Sequence, residues 1–253
     1  MSGHSKWAQI RRSKGVNDAR RGQLFTRLGR EIVVAVREGG SGDPNANFRL
    51  RIAVQRARDA NMPMDNIERT IKRAVGGSEG SNLEEITYEG YGPGGTAILV
   101  QTLTENRNRT VADVRNAFNR NAGNMGENGC VDWLFENRGI IEVELKGHDP
   151  DELSLEAIDL GAEDVEPVGA DDESIIIYTD PSELENVRKG LEANKYNVLK
   201  AESTIQAKTR VDITDEKVAH QVLRLIDRLE DLDDVQNVYT NADFPEEFAA
   251  SYE

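Results

Sequence analysis

The apolar residues of this 253-residue chain change their period once, near Gly80, and that change restricts the fold more than any other feature. Before it, Leu24, Leu28, Ile32 and Val36 recur every four residues, Phe25 and Val33 widen the stripe, and Gly39-Gly40 closes it. That pattern predicts an amphipathic helix from about Gln23. Asp43 as N-cap and Pro44 in the first turn predict the start of a second helix. Its Leu50, Val54 and Ala57 form one apolar strip and Phe48 and Ile52 another, so a helix wedged between two partners is expected. Arg49/Arg56 and Arg51/Arg58 emerge on roughly opposite sides of it. A third helix is expected from about Asp65 to Val75, with Ile67, Ile71 and Ala74 inward and Gly76-Gly77 as its stop.

Beyond Gly80 the spacing is that of strands. "GGTAILVQTLT" predicts a strand from about Thr96 to Thr104, and "NRNRTVADVRNAFNRNAG" a helix capped by Asn108 or Thr110. Near the C-terminus, Val211 and Ile213 predict a short strand. Thr214 is expected to cap a helix carrying Val218, Val222, Leu225 and Leu229, and Val235 to Tyr239 a closing strand.

The segment between these pieces is complete by itself. Ile141, Val143 and Leu145 alternate with Glu142 and Glu144, Asp151 to Leu160 is helical, and Asp164–Val168 and Ser174–Tyr178 are strand-like. Ser182 and Glu185 form a capping box, and Val198 onward is extended. The order β-α-β-β-α-β is ferredoxin-like. The expected class is therefore α+β: a basic three-helix domain followed by two α/β modules, one inserted in the other. The boundaries expected are a mobile basic arm at 1–21, the helical domain at 22–78, a discontinuous α/β domain at 79–132 plus 209–253, and the insert at 133–208.

Charge divides along the same lines. The chain carries −15 overall, yet up to Val75 it has 16 Lys/Arg against 7 Asp/Glu. A local positive field can hold phosphates while the acidic remainder suppresses indiscriminate binding. The arm "GHSKWAQIRRSKGVNDARRG" concentrates Lys6, Arg11, Arg12, Lys14, Arg20 and Arg21 around Trp7, which offers a stacking surface for an unpaired base. No apolar run reaches the ~20 residues of a membrane span, and the N-terminal cations precede no apolar signal core. One cysteine, Cys130, excludes an internal disulfide and fits a reducing cytoplasm. His4, His148 and His220 with that cysteine make no conventional zinc site. No cofactor, metal or membrane is expected.

"GHSKW" with Lys14, Asp18, Arg21-Gly22 and Phe25 resembles the opening of the YebC/PmpR family. "NMPMDNIERTIKRAVGG" resembles its third-helix segment. "YEGYGPGGTAILVQTLTENRNRTVADVRNAF" and "GNMGENGCVDWLFENRG" resemble its second-domain signatures, so the likeness runs over nearly the entire chain. The resemblance implies a three-domain, non-enzymatic bacterial protein described as a DNA-binding transcriptional regulator. It also implies an alternative, because mitochondrial relatives are translational activators and the family has been linked to ribosome function.

The residues expected to meet nucleic acid are the six arm cations with His4 and Trp7, extended by Arg49, Arg51, Arg56, Arg58, Arg69, Lys72 and Arg73. No helix-turn-helix signature is present, which favours backbone or shape recognition over base readout. Arg107 and Arg109 flank a helix N-terminus and form a secondary anion-site candidate, with capping or inter-domain pairing as the competing reading. "GYGPGG" precedes a strand and lacks the Lys-Ser/Thr of a phosphate loop, so a turn is expected. The carboxylates converge with no nucleophile, and no catalytic residue is expected. DNA or ribosomal RNA, and a basic protein docked on the acidic modules, are the partners considered; no oligomeric state follows.

Overall fold

A computed structural model describes residues 18–76, 83–169 and 172–252. The first helix, α1 (Asp18–Gly39), begins six residues before Leu24, the first of its apolar stripe. The expected arm at 1–21 thus overlaps it, because periodicity marks only the turns that pack, whereas the preceding Asp-Ala-Arg-Arg needs no partner to be helical. Helix α2 spans Phe48–Asp59 and α3 spans Met64–Val75. The three pack around Leu28, Ile32, Ala35 and Val36 of α1, Leu50, Ala53, Val54 and Ala57 of α2, and Ile67 of α3.

Two expectations for α2 are corrected. Its cap is Asn47, whose Oδ1 accepts from Leu50 N at 3.0 Å. Asp43 instead holds the preceding turn, accepting from Asn45 N and, through its carbonyl, from Ala46 N and Asn47 N. Nor is the second apolar strip of α2 buried: Phe48 is 64% exposed, and Ile52, 41% exposed, only borders a cavity beside the sheet. The helix with two buried faces is α1: Val33 and Val34 lie on its far side and pack with Leu83 and Leu103.

The strand region opens with β1 (Glu84–Tyr91), then β2 (Ala97–Thr104) after a turn at Pro93–Gly95. Gly94 and Gly95 there take φ of 71° and 76°, which a side chain would resist. Helix α4 (Arg107–Arg120) follows, capped by Asn106, whose Oδ1 accepts from Arg109 N. Neither Asn108 nor Thr110 caps; the Thr110 hydroxyl is buried in a polar cluster instead. A short β3 (Asn124–Met125) comes next.

Residues Trp133–Arg210 make one compact unit and the remaining described residues another. The former contains β4 (Phe135–Glu144), α5 (Pro150–Asp159), β5 (Asp164–Val165), β6 (Ser174–Thr179), α6 (Leu184–Ala193) and β7 (Val198–Ala207). Its sheet is antiparallel in the order β5-β6-β4-β7, the ferredoxin-like arrangement, over a core including Ile141, Val143, Leu153, Ile177 and Leu191. Ser182 does not cap α6; it donates through its N–H and hydroxyl to Asp180, and the helix starts after Glu183 with no side-chain cap.

The chain then completes the other unit with β8 (Val211–Asp212), α7 (Glu216–Glu230), β9 (Val235–Thr240), β10 (Ala242–Asp243) and α8 (Glu246–Ala250). Asp215, not Thr214, caps α7. The main sheet is antiparallel in the order β3-β1-β2-β9, and β8 pairs with β10 in parallel. Ile98 and Val100 of β2 turn one way, into a core with Phe118 of α4 and Val222, Leu225 and Leu229 of α7. Leu103, of opposite parity, turns toward α1. Strand β2 is therefore buried on both faces, which suits its unbroken apolar run.

Candidate nucleic-acid interface

The stretch 18–76 holds twelve Lys/Arg and seven Asp/Glu. What those cations can do depends on which carboxylates reach them. On α2, Phe48 and Ile52, four apart, lie side by side; Arg49 and Arg56 flank Ile52 on one side, and Arg51, Gln55 and Arg58 follow from Phe48 on the other. The first face meets the sheet. Arg49 is gripped by Glu38 of α1 and Glu85 of β1, and Arg56 Nη1 lies 3.6 Å from Glu31 of α1. Burial pushes the Glu31 carboxyl above its usual range, against the opposing pull of Arg56.

These groups border a cavity of about 270 Å³ between α2 and the sheet, walled by Glu31, Ile52, Arg56, Gln101 and Gln236 among others. Gln236 is a β-bulge residue: β2 and β9 pair Gln101 with Asn237 but Thr102 with Val235, which leaves Gln236 without an opposite neighbour. Both polar atoms of its amide are buried without a hydrogen bond.

The second face of α2 is open. Arg51 and Arg58 are exposed, and neither has an ion-pair partner among the described residues; the Arg51 guanidinium carbon lies 5.6 Å from the centre of the Phe48 ring. Seven residues separate the two arginines, about 10.5 Å along the axis. On α3, Arg69 donates to Asn66 Oδ1 at 3.1 Å, while Lys72 and Arg73 are exposed.

Sequence reasoning put the seven cations of α2 and α3 in one class; the structure divides them. Arg20 and Arg21 lie within α1. His4, Lys6, Trp7, Arg11, Arg12 and Lys14 lie outside the described residues.

Arg107 and Arg109 are also separated. Arg107 is exposed, whereas Arg109 Nη2 is 2.7 Å from Asp234 Oδ2 and Arg30 Nη1 of α1 is 3.2 Å from Oδ1 of the same carboxylate. Thr110 and Thr104 donate to Oδ2 as well, at 2.7 and 3.1 Å. The anion that Arg109 holds is thus the protein's own. Burial raises the Asp234 carboxyl, but the hydrogen bonds of Arg109 and Thr110 and the two arginine charges outweigh it, leaving it below the usual range.

A second buried carboxylate, Glu89 of β1, organises the loop after β3. It accepts from the N–H groups of Gly129, Val131 and Asp132 at 2.6 to 2.8 Å. Those three donors hold it below its usual range in spite of burial. Cys130, inside this loop, is pushed up by burial and by Glu89, and so is poorly disposed to act as a thiolate. Among the described residues no three His, Cys, Asp or Glu side chains gather as they do around a metal ion. No helix among them is long and apolar enough to cross a membrane.

This combination defines the class: a helical bundle joined to antiparallel α/β modules, with Arg51 and Arg58 of the bundle exposed. Residues 5–77 match the model of the TACO1/YebC protein N-terminal domain, and residues 83–242 that of the TACO1/YebC second and third domain. The chain belongs to the TACO1/YebC family. Relatives named "Probable transcriptional regulatory protein" occur in Chloroflexus aurantiacus and Roseiflexus castenholzii, each 55% identical; the match takes in all of this chain and 100% and 99% of theirs. A crystal structure of a conserved hypothetical protein from Aquifex aeolicus superposes with a TM-score of 0.76 at 48% identity, over 90% of this chain and 92% of that one.

Proposed function

We propose that the protein is a non-catalytic transcriptional regulator that binds DNA through the helical bundle and the basic residues preceding it. The names of its relatives support the regulatory part. The observation that carries the binding part is the unequal treatment of α2's arginines. Arg49 and Arg56 are neutralised by Glu38, Glu85 and Glu31, whereas Arg51 and Arg58 stand exposed with no carboxylate partner among the described residues. An arginine pair with no carboxylate partner among the described residues, in a chain of net charge −15, is available to an external anion. Lys72, exposed on α3, and Lys6, Arg11, Arg12 and Lys14 of the preceding sequence add to the positive charge of this end of the chain.

The test is a titration of labelled DNA at several salt concentrations. Each phosphate neutralised contributes about −0.9 to the slope of log K against log salt on duplex. Arg51→Gln/Arg58→Gln should make the slope shallower by about 1.8. Arg49→Gln/Arg56→Gln should leave it nearly unchanged while lowering stability. Removing residues 1–17 should reduce it by up to about 3.6, four cations' worth. Salt-independent binding, or none at low ionic strength, overturns the assignment.

A further inference from the structure

We infer that Phe48 is a stacking platform for an unpaired base of single-stranded DNA, with Arg51 and Arg58 holding the phosphates that follow. The inference rests on the nucleic-acid reading above and makes it more specific, because a base inside a duplex offers no free face to a side chain. A lone apolar residue on a surface ordinarily needs no explanation. Phe48 differs in its support and in its neighbours.

Its support is the cap of α2. Asn47, 4% exposed, donates from Nδ2 to Ala35 O at 2.7 Å and to Ser41 O at 2.9 Å, while its Oδ1 accepts from Leu50 N. Three hydrogen bonds on one buried side chain fix the backbone next to Phe48, so an aromatic ring 64% exposed is presented from a rigid base. Were Phe48 meant for the bundle core, a shift of one helical position would bury it; Leu50, Ala53, Val54 and Ala57 fill that side instead.

Its neighbours include two cations beside the half-exposed Ile52. Arg51 sits one turn on, its guanidinium carbon over the ring at 5.6 Å from the centre, and Arg58 lies two turns beyond Arg51. Between them Gln55 Nε2 donates to Asp59 Oδ1 at 2.8 Å, which engages the one carboxylate at the end of the stripe. An aromatic face followed along one strip by two guanidinium groups is a pattern suited to single strands: bases stack, and the backbone follows the positive charge. A neutral apolar partner would gain nothing from the arginines, and an acidic protein would gain little from the ring.

The experiment uses the full chain and three 5′-labelled oligonucleotides of one sequence, single-stranded DNA, its duplex and single-stranded RNA, read by fluorescence anisotropy. Phe48→Leu removes the ring from an exposed position, and its thermal midpoint should match the parent. It should weaken single-stranded DNA by about 5- to 150-fold, the range that one base–aromatic stack carries. Duplex affinity and the salt slope should not change. Phe48→Trp should restore or exceed parental affinity.

Equal losses on single strand and duplex, or no loss on either, overturn the stacking site while leaving the phosphate-binding arginines standing. No salt-dependent binding of any oligonucleotide by the parent overturns both. RNA bound more tightly than DNA, with the Phe48 effect confined to RNA, overturns the choice of DNA. A parent that self-associates in sedimentation and is made monomeric by Phe48→Leu assigns the ring to a second copy of the chain and overturns the inference.

Discussion

Arg30 of α1 and Arg109 of α4 hold opposite oxygens of one carboxylate, that of Asp234, at 3.2 and 2.7 Å. The residue is 5% exposed and immediately precedes β9; its carbonyl also accepts from Leu103 N of β2 at 2.8 Å. One side chain therefore ties the helical bundle, α4 and the last strand of the main sheet together. Asp234→Asn keeps the shape but loses the charge that both arginines need. Arg109 is half-exposed and regains water, so its loss is discounted, whereas Arg30 is better shielded. The expected destabilisation is about 1–3 kcal/mol, the value of charged hydrogen bonds partly recovered by solvent. Urea denaturation reads it as a lower midpoint with an unchanged m-value.

The same carboxylate sets an acid limit together with Glu89. Both are held below the ordinary carboxylate range, so the folded state binds their protons more weakly than the unfolded chain. The stability they contribute is present above the unfolded pKa values of ~4 and drains away as pH falls through the folded ones. The stability gap between the parent and Asp234→Asn should therefore be widest above about pH 4 and close on further acidification. A gap that widens below that pH contradicts the assignment. Glu89→Gln should show the same sign, with faster amide exchange at Gly129, Val131 and Asp132.

Gly39 and Asn47 should behave as one unit. A Cβ on Gly39 falls 2.1 Å from Asn47 Nδ2 and 2.3 Å from its Cγ, and that amide cannot swing aside without breaking three hydrogen bonds. Asn47→Ala forfeits the cap of α2, worth about 1 kcal/mol, and the amide's bonds to the Ala35 and Ser41 carbonyls, about 0.5–1.5 kcal/mol each. Gly39→Ala should cost a similar amount by displacing the same amide. The double variant should lose far less than the sum, which a double-mutant cycle measures directly.

Gln236 is expected to give the opposite sign. Its amide is buried on a β-bulge with both polar atoms unpaired, a state that costs about 1–3 kcal/mol for each unsatisfied group. Gln236→Met keeps the volume and removes that cost, so the thermal midpoint should rise. A fall would mean that the amide serves the cavity beside it.

Much of the architecture is legible in sequence because burial imposes a period. The stripe of α1, the β2 run and the alternation around Ile141 each record which way side chains must turn. β1 escaped that logic, since Glu84, Glu85 and Glu89 interrupt its apolar residues, and the amides that make Glu89 tolerable inside come from a loop forty residues later. Caps were misplaced by one to four residues, as Asp43 for Asn47 or Thr214 for Asp215. Several cap-competent residues stand in a row there, and the start of packing decides among them. The division of the arginines was equally hidden: Arg49 and Arg51 are two positions apart, and only the arrival of Glu85 from the sheet distinguishes them.

Phe135 at the start of β4 pairs with Ala207 at the end of β7, and Lys208 N donates to Leu134 O, so the 78-residue stretch from Trp133 to Arg210 leaves beside where it entered. For a strand such as β9, which must find β2 across the intervening polypeptide, that clasp shortens the search. Closing a loop of about 78 flexible residues instead of about 4 costs roughly 2–3 kcal/mol more in chain entropy. A pre-zipped hairpin mouth removes most of that difference. The guest module thus acts as a staple for its host, and loosening the Phe135–Ala207 end should slow the host sheet's assembly without touching a single residue of its core.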